Sequence, residues 1–158
     1  MLKLYSKITI LLIITSSLTL TNCRRDDGDV IPDVYINFTI NIYSDPEFIE
    51  LKIPGNSEVV SHTSVGKTSL GYDDNGVIIY NTGEGFFAFD RTCTHDFPDE
   101  SVAVELVSHG STVKCPVCGS VYVLPSDGLP TLDGPAIYPL KNYSTYFNPN
   151  TGQLQVYN

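Results

Sequence analysis

From Val34 the chain alternates. Val34, Ile36, Phe38, Ile40 and Ile42 are apolar, and Tyr35, Asn37, Thr39, Asn41 and Tyr43 stand between them. A period of two predicts a half-buried strand. Asp45-Pro46 turns the chain, and Phe48 to Ile53 reads as a second strand ended by Pro54-Gly55-Asn56. Glu58 to Thr63 supplies a third. Asp73-Asp74-Asn75-Gly76 predicts a hairpin turn, because Asn-Gly supplies the positive φ angles of a tight turn. Val77 to Tyr80 and Phe86 to Asp90 form the next hairpin, joined through Asn81 to Gly85. Further on, Val102, Val104 and Leu106 alternate with Ala103, Glu105 and Val107. Thr112 to Lys114, Val121 to Leu124 and Ile137 to Leu140 follow as short strands. The last hairpin is Ser144 to Phe147 with Gln153 to Tyr157. No segment after residue 22 has a helical period. About ten short strands with regular turns predict an all-β fold, an antiparallel β sandwich or open barrel.

The N-terminal end follows a different pattern. Lys3 and Lys7 precede an apolar run from Ile8 to Leu20, broken only by Thr and Ser. That run has the length of a signal-peptide core and is short for a membrane span. Leu20-Thr21-Asn22-Cys23 resembles a bacterial lipoprotein box, although Asn22 stands where a small residue is usual. The resemblance implies cleavage after residue 22, a lipid on Cys23, and a protein exported to the bacterial cell envelope and anchored to its membrane. Residues 23–33 read as a polar tether, and 34–158 as one domain.

Composition supports strands: there are 10 Tyr, no Trp and many β-branched residues. The formal charge is −9, and loss of the leader, with Lys3 and Lys7, takes it to −11. Such a balance excludes a nucleic-acid partner, which requires a basic face. It also excludes attachment to anionic lipid by charge alone.

The chemistry is concentrated between Cys93 and Tyr122, which hold three of the four cysteines and two of the three histidines. Cys93-Thr94-His95 follows the strand FFAFD, and Cys115-Pro116-Val117-Cys118 follows after a hairpin-sized insert. Two short donor pairs on facing loops can close a four-ligand metal site. Thiolate and imidazole suit zinc or iron–sulfur and not magnesium or calcium. On ligand chemistry alone the two stand level, and a metal-free domain with Cys115 and Cys118 paired as a disulfide is a third reading, since an exported chain meets an oxidising compartment.

The stretch from Phe86 to the C-terminus resembles a Rieske-type iron–sulfur domain. The matching residues are Cys93-Thr-His95, Cys115-Pro-Val-Cys118-Gly119-Ser120-Val-Tyr122, Gly134-Pro135-Ala136 and Tyr138-Pro139-Leu140. The resemblance implies a Rieske-like all-β fold with a small metal-binding subdomain over about residues 91–136. It implies a 2Fe-2S cluster, with Cys93 and Cys115 on the inner iron and His95 and Cys118 on the outer one. Cys118 stands where the family has its second histidine. A thiolate there lowers the potential from the Rieske range towards ordinary ferredoxins and leaves one imidazole to titrate. Ser120 and Tyr122 match positions whose hydroxyls donate to sulfur and raise the potential. The Gly134-Pro135-Ala136 segment matches the loop that covers the cluster.

The function implied is one-electron transfer to a redox partner protein, as a carrier or a subunit of an oxidoreductase. No Ser-His-Asp set or spaced carboxylate pair gives the chain a catalytic site of its own. The alternative is a surface lipoprotein whose Rieske-like module holds zinc or no metal and serves binding or structure. His109 reads as a solvated turn residue, His62 as a strand residue without a companion ligand, and Arg91 as a surface cation. Gly66-Lys67-Thr68 is not a phosphate loop, because its leading glycine position is Ser61.

Overall fold

A computed structural model describes residues 30–97, 99–107 and 110–158. The leader, Cys23 and His109 lie outside these residues, and with them the readings placed there. Ten strands run in chain order: β1 (Asn37–Asn41), β2 (Ser57–Val60), β3 (Val77–Asn81), β4 (Phe86–Asp90), β5 (Glu105–Leu106), β6 (Thr112–Lys114), β7 (Val121–Val123), β8 (Leu129–Pro130), β9 (Asn142–Asn148) and β10 (Gln153–Tyr157). They form two antiparallel sheets, of order β1-β10-β9-β4-β3-β2 and β5-β6-β7-β8. The expected all-β class is the class found; the first candidate loop follows β4 of the larger sheet, and the second joins β6 to β7 of the smaller one.

Alternation places the core. Ile36, Phe38, Ile40 and Ile42 are all buried and their neighbours are not. They pack with Val77, Ile79, Ala88, Leu154 and Val156 inside the larger sheet. The other parity of the same strands, Ile78, Tyr80 and Phe89, turns outward and meets Val104, Val113, Tyr122 and Leu124. β3 is therefore buried on both faces, which explains its unbroken apolar run. The small sheet covers the outer face of β3 and β4, and the Ser57 hydroxyl donates to the Gly110 carbonyl at 2.6 Å between them.

Three expectations change. Phe48 to Ile53 is not a strand: Pro46–Lys52 is a 3₁₀ helix, with Asp45 capping it by accepting from the Glu47 N–H at 3.2 Å and Pro46 in its first turn. The buried residues are Phe48 and Leu51, and a spacing of three fits a 3₁₀ turn and not a strand face. Asp73 to Gly76 does not close a hairpin: Asn75 has φ −68°, while both centres of such a turn require positive φ. β2 and β3 pair across a long excursion instead. Ile137 to Leu140 has no strand pairing, and the strand of that region is β9.

One buried carboxylate ties the fold to the metal-binding loops. Asp90 ends β4 and is fully buried. Its oxygens accept from the Tyr72 N–H at 2.7 Å, the Tyr143 hydroxyl at 2.6 Å and the Thr92 N–H at 2.8 Å. At the N-terminal edge of the described chain, Ile31 is buried and Asp33 pairs with Lys141 Nζ at 2.7 Å.

Asp90→Asn sets an amide donor against another donor. The substitution is expected to cost about 2–4 kcal/mol, read as a lowered urea midpoint at unchanged slope, whereas a change within error would mean that this carboxylate does not anchor the fold.

Candidate metal centre

The segment 102–106 joins the two candidate loops. Its first half pairs with the entry to the first loop: the Cys93 N–H donates to the Val102 carbonyl and the Val104 N–H to the Arg91 carbonyl, both at 2.8 Å. Its second half is β5, which pairs Glu105 with Lys114 and Leu106 with Val113 at the entry to the second loop. The second loop then closes on itself, with the Cys115 N–H on the Ser120 carbonyl at 2.8 Å.

This brings Cys93, Cys115 and Cys118 together. Their sulfurs and a carboxylate oxygen of Asp96 all lie within 4.8 Å of one another, and these four residues could hold a metal ion. Cys93 and Cys118 sulfurs are 3.6 Å apart, and Cys115 Sγ donates to Asp96 Oδ2 at 2.8 Å. His95 is exposed and is not a member of this group. The sequence reading passes over Asp96. Its signal is spacing, since it stands three residues after Cys93 as Cys118 stands three after Cys115.

Ser120 and Tyr122 both reach sulfur. The Tyr122 hydroxyl is 3.3 Å from Cys93 Sγ. It accepts the Thr94 N–H at 3.2 Å, while the Thr94 hydroxyl donates to the Tyr138 carbonyl at 2.8 Å. The phenol proton then has two acceptors in reach, Thr94 Oγ1 at 3.1 Å and Cys93 Sγ at 3.3 Å. Ser120 Oγ lies 3.1 Å from Cys118 Sγ and accepts the Ala136 N–H at 3.0 Å. The loop through Gly134 thus lies directly on the second knuckle. A Cβ on Gly134, at φ +136°, would stand 2.5 Å from Ser120 Cα, so only glycine allows this approach.

Burial pushes the Cys93 and Cys115 thiols up, and it raises the Tyr122 phenol as well. Burial also works to raise Asp96, but hydrogen bonds from the three thiols outweigh it and leave the carboxyl below its usual range. The metal-free site thus holds Cys93 and Cys115 as neutral thiols beside the Asp96 carboxylate, and a metal must displace their protons.

Three thiolates and a carboxylate fit a thiophilic metal. Bonds of about 2.3 Å in a tetrahedron set sulfurs about 3.8 Å apart, close to the observed 3.6 Å. The donors as spaced match one ion, and a two-iron cluster would spread the donors of opposite irons further. Elsewhere, Arg91 is not a free surface cation: its Nε donates to the Val104 carbonyl at 2.7 Å and Nη1 to the Asn75 carbonyl at 3.3 Å. His62 Nδ1 pairs with Asp74 at 2.8 Å.

No family model matches the chain, and no curated protein matches it. Among solved structures it is similar to the complex of reduced oxygenase and oxidised ferredoxin in carbazole 1,9a-dioxygenase, at 18% identity over 80% of this chain and 94% of that one, with a TM-score of 0.47. It is similar to the ferredoxin of carbazole 1,9a-dioxygenase from Nocardioides aromaticivorans IC177, at 14% identity over 79% and 98%, with a TM-score of 0.46. A Sphingomonas yanoikuyae B1 ferredoxin is 18% identical over 69% and 93%, with a TM-score of 0.44. At these values the likeness describes the course of the chain and not what it binds.

In metal-free, reduced protein, Cys118 is expected to be alkylated first. It is partly exposed, whereas Cys93 and Cys115 are fully buried with raised pKa values, and only the thiolate reacts. Raising the pH should speed the slow pair. Peptide mass spectrometry after iodoacetamide gives the order, and equal rates at all three would contradict the burial described.

Proposed function

We propose that this domain transfers single electrons through an iron–sulfur centre held by Cys93, Cys115 and Cys118 with a fourth donor from the first loop. The observation that carries the reading is the pair of hydroxyls on ligand sulfur, Tyr122 at Cys93 and Ser120 at Cys118. In the metal-free chain the Cys118 thiol donates to Ser120 Oγ; once the thiols lose their protons, both hydroxyls can turn to donate to sulfur, and such donors stabilise an added electron, a service that a structural ion does not need. A bound cluster would supply the one-electron redox couple; the protein supplies the thiolates, the donors and a site close to the surface. Cys118 is partly exposed, and Val117 beside it is 63% exposed, so a redox partner protein can approach the second loop. The chain is a carrier or a subunit of an oxidoreductase in this reading.

A single zinc ion is the second reading, favoured by the 4.8 Å spread of the four donors. Anaerobic purification with a visible spectrum and metal analysis separates the two. About two irons and two sulfides per chain with a bleachable visible band support electron transfer. One zinc in a colourless protein would replace it with a structural or binding role. In the iron-loaded protein, Tyr122→Phe is expected to lower the potential by about 65–130 mV, the value of one hydrogen bond to a charged sulfur on a one-electron scale. An unchanged potential would mean that the hydroxyl does not act on the centre.

The anchor belongs to the same proposal. The apolar run and the Leu20-Thr21-Asn22-Cys23 box support export and lipidation at Cys23 in a bacterial envelope. No helix among the described residues is long and apolar enough to cross a membrane. Cys23→Ser is expected to abolish fatty-acid labelling and release the protein from the membrane fraction. Retention of both label and membrane association would sink the lipoprotein assignment.

A further inference from the structure

We infer that the fourth donor to the metal is the carboxylate of Asp96 and not the imidazole of His95. The inference rests on metal binding at the three cysteines and assigns the remaining ligand.

The two loops are built alike. In the first, the Phe97 N–H donates to the Cys93 carbonyl at 3.3 Å; in the second, the Gly119 N–H donates to the Cys115 carbonyl at 3.1 Å. Each bond joins residues four apart and closes one turn. A single turn places the residue three along beside the first, and turns the residue two along away from it. In the second loop these are Cys118, which meets the other sulfurs, and Val117, which is 63% exposed. In the first loop they are Asp96, which meets the same sulfurs, and His95, which is exposed.

The backbone repeats the correspondence. Cys93 Sγ faces the N–H groups of His95 and Asp96, and Cys115 Sγ faces those of Val117 and Cys118. His95 is thus the counterpart of Val117, and Asp96 the counterpart of Cys118. The site is C-x-x-D facing C-x-x-C. Rotating His95 inward would require opening the turn that holds Cys93. All four donors are anionic once the thiols lose their protons. A cluster held this way lacks a ligated imidazole, and a zinc ion held this way carries three sulfurs and one oxygen.

The test compares full-length wild type with His95→Ala, Asp96→Ala and Asp96→Cys, each purified anaerobically and reconstituted with ferrous iron and sulfide, or with zinc. His95→Ala is expected to keep the wild-type metal content. Asp96→Ala should weaken metal binding by at least about tenfold, no less than loss of an outer-shell partner costs. Asp96→Cys should restore it by completing a four-thiolate set. A second readout needs no variant: pulsed electron resonance of the reduced wild-type cluster should show no coupling to a directly bound nitrogen, and X-ray absorption of the zinc form should show no imidazole shell. Metal loss in His95→Ala with retention in Asp96→Ala would overturn the assignment, as would a directly bound nitrogen in the wild type. A wild type that takes up no metal from either reconstitution would overturn the proposed function as well, which separates the two failures.

Discussion

The candidate metal centre depends on a short strap, residues 102–106, that is hydrogen-bonded to both candidate loops at once. Its first residues hold Arg91 and Cys93, and its last hold Val113 and Lys114. Because one extended segment serves both, the separation of Cys93 from Cys115 is set by strand geometry and not by the flexibility of two loops. The strap is in turn fixed from below. Val104 is buried between the sheets with Ile78, Phe89 and Val113, and Arg91 spends its guanidinium donors on the Val104 and Asn75 carbonyls. An arginine used in this way is a strut between the strap and the Asn75 turn.

Electrostatics then decide what such a site can do. Burial keeps the Cys93 and Cys115 thiols protonated, and hydrogen bonds from the cysteines hold an ionised Asp96 among them. Among the described residues no buried side-chain polar atom lacks a partner, so none is left unpaired in the metal-free arrangement. Negative charge gathers there in a chain already at −9. The donors that offset it are local: backbone N–H groups at Cys93 and Cys115, and the hydroxyls of Tyr122 and Ser120. An anionic ligand set favours the more oxidised state of a redox metal, and these donors work against it by stabilising the reduced state.

Period two made much of the fold legible. Ile36 to Ile42 follows alternation because one face of the strand meets the core, whereas β3 reads as a continuous apolar run because both of its faces are buried. Phe48 to Ile53 was ambiguous for a physical reason: it carries apolar residues at spacings of two and of three, and the cap at Asp45 with Pro46 behind it selects the 3₁₀ turn. Asn75-Gly76 carries a hairpin dipeptide but no hairpin, since Asp90 holds the Tyr72 backbone and a distant contact outranks local turn preference. At the site, the three cysteines were legible from their pairing in short motifs. Asp96 was not, because a carboxylate beside a histidine in a loop is ordinary; only the hydrogen bond from Phe97 back to Cys93 reveals that the third residue along faces inward.

That hydrogen bond also explains how one motif can read in two ways. A C-x-H pair presents two donors only if the chain between them is extended enough for residues two apart to converge. A C-x-x-D pair presents two donors only if the chain makes a full turn. The residues at 93–96 permit either, and the surroundings choose. Thr94 is pinned on both sides, its N–H to the Tyr122 hydroxyl and its own hydroxyl to the Tyr138 carbonyl, which fixes the turn at its second residue. Phe97 packs edge-on against the Tyr72 ring at 5.2 Å between centroids, which fixes it at its end. With both ends held, the turn stays closed, His95 lies at its outer edge and Asp96 faces the sulfurs. The same tyrosine that supplies a donor to Cys93 therefore helps to hold the turn that faces Asp96 inward. Tuning of the centre and choice of its fourth ligand are in that sense one packing decision.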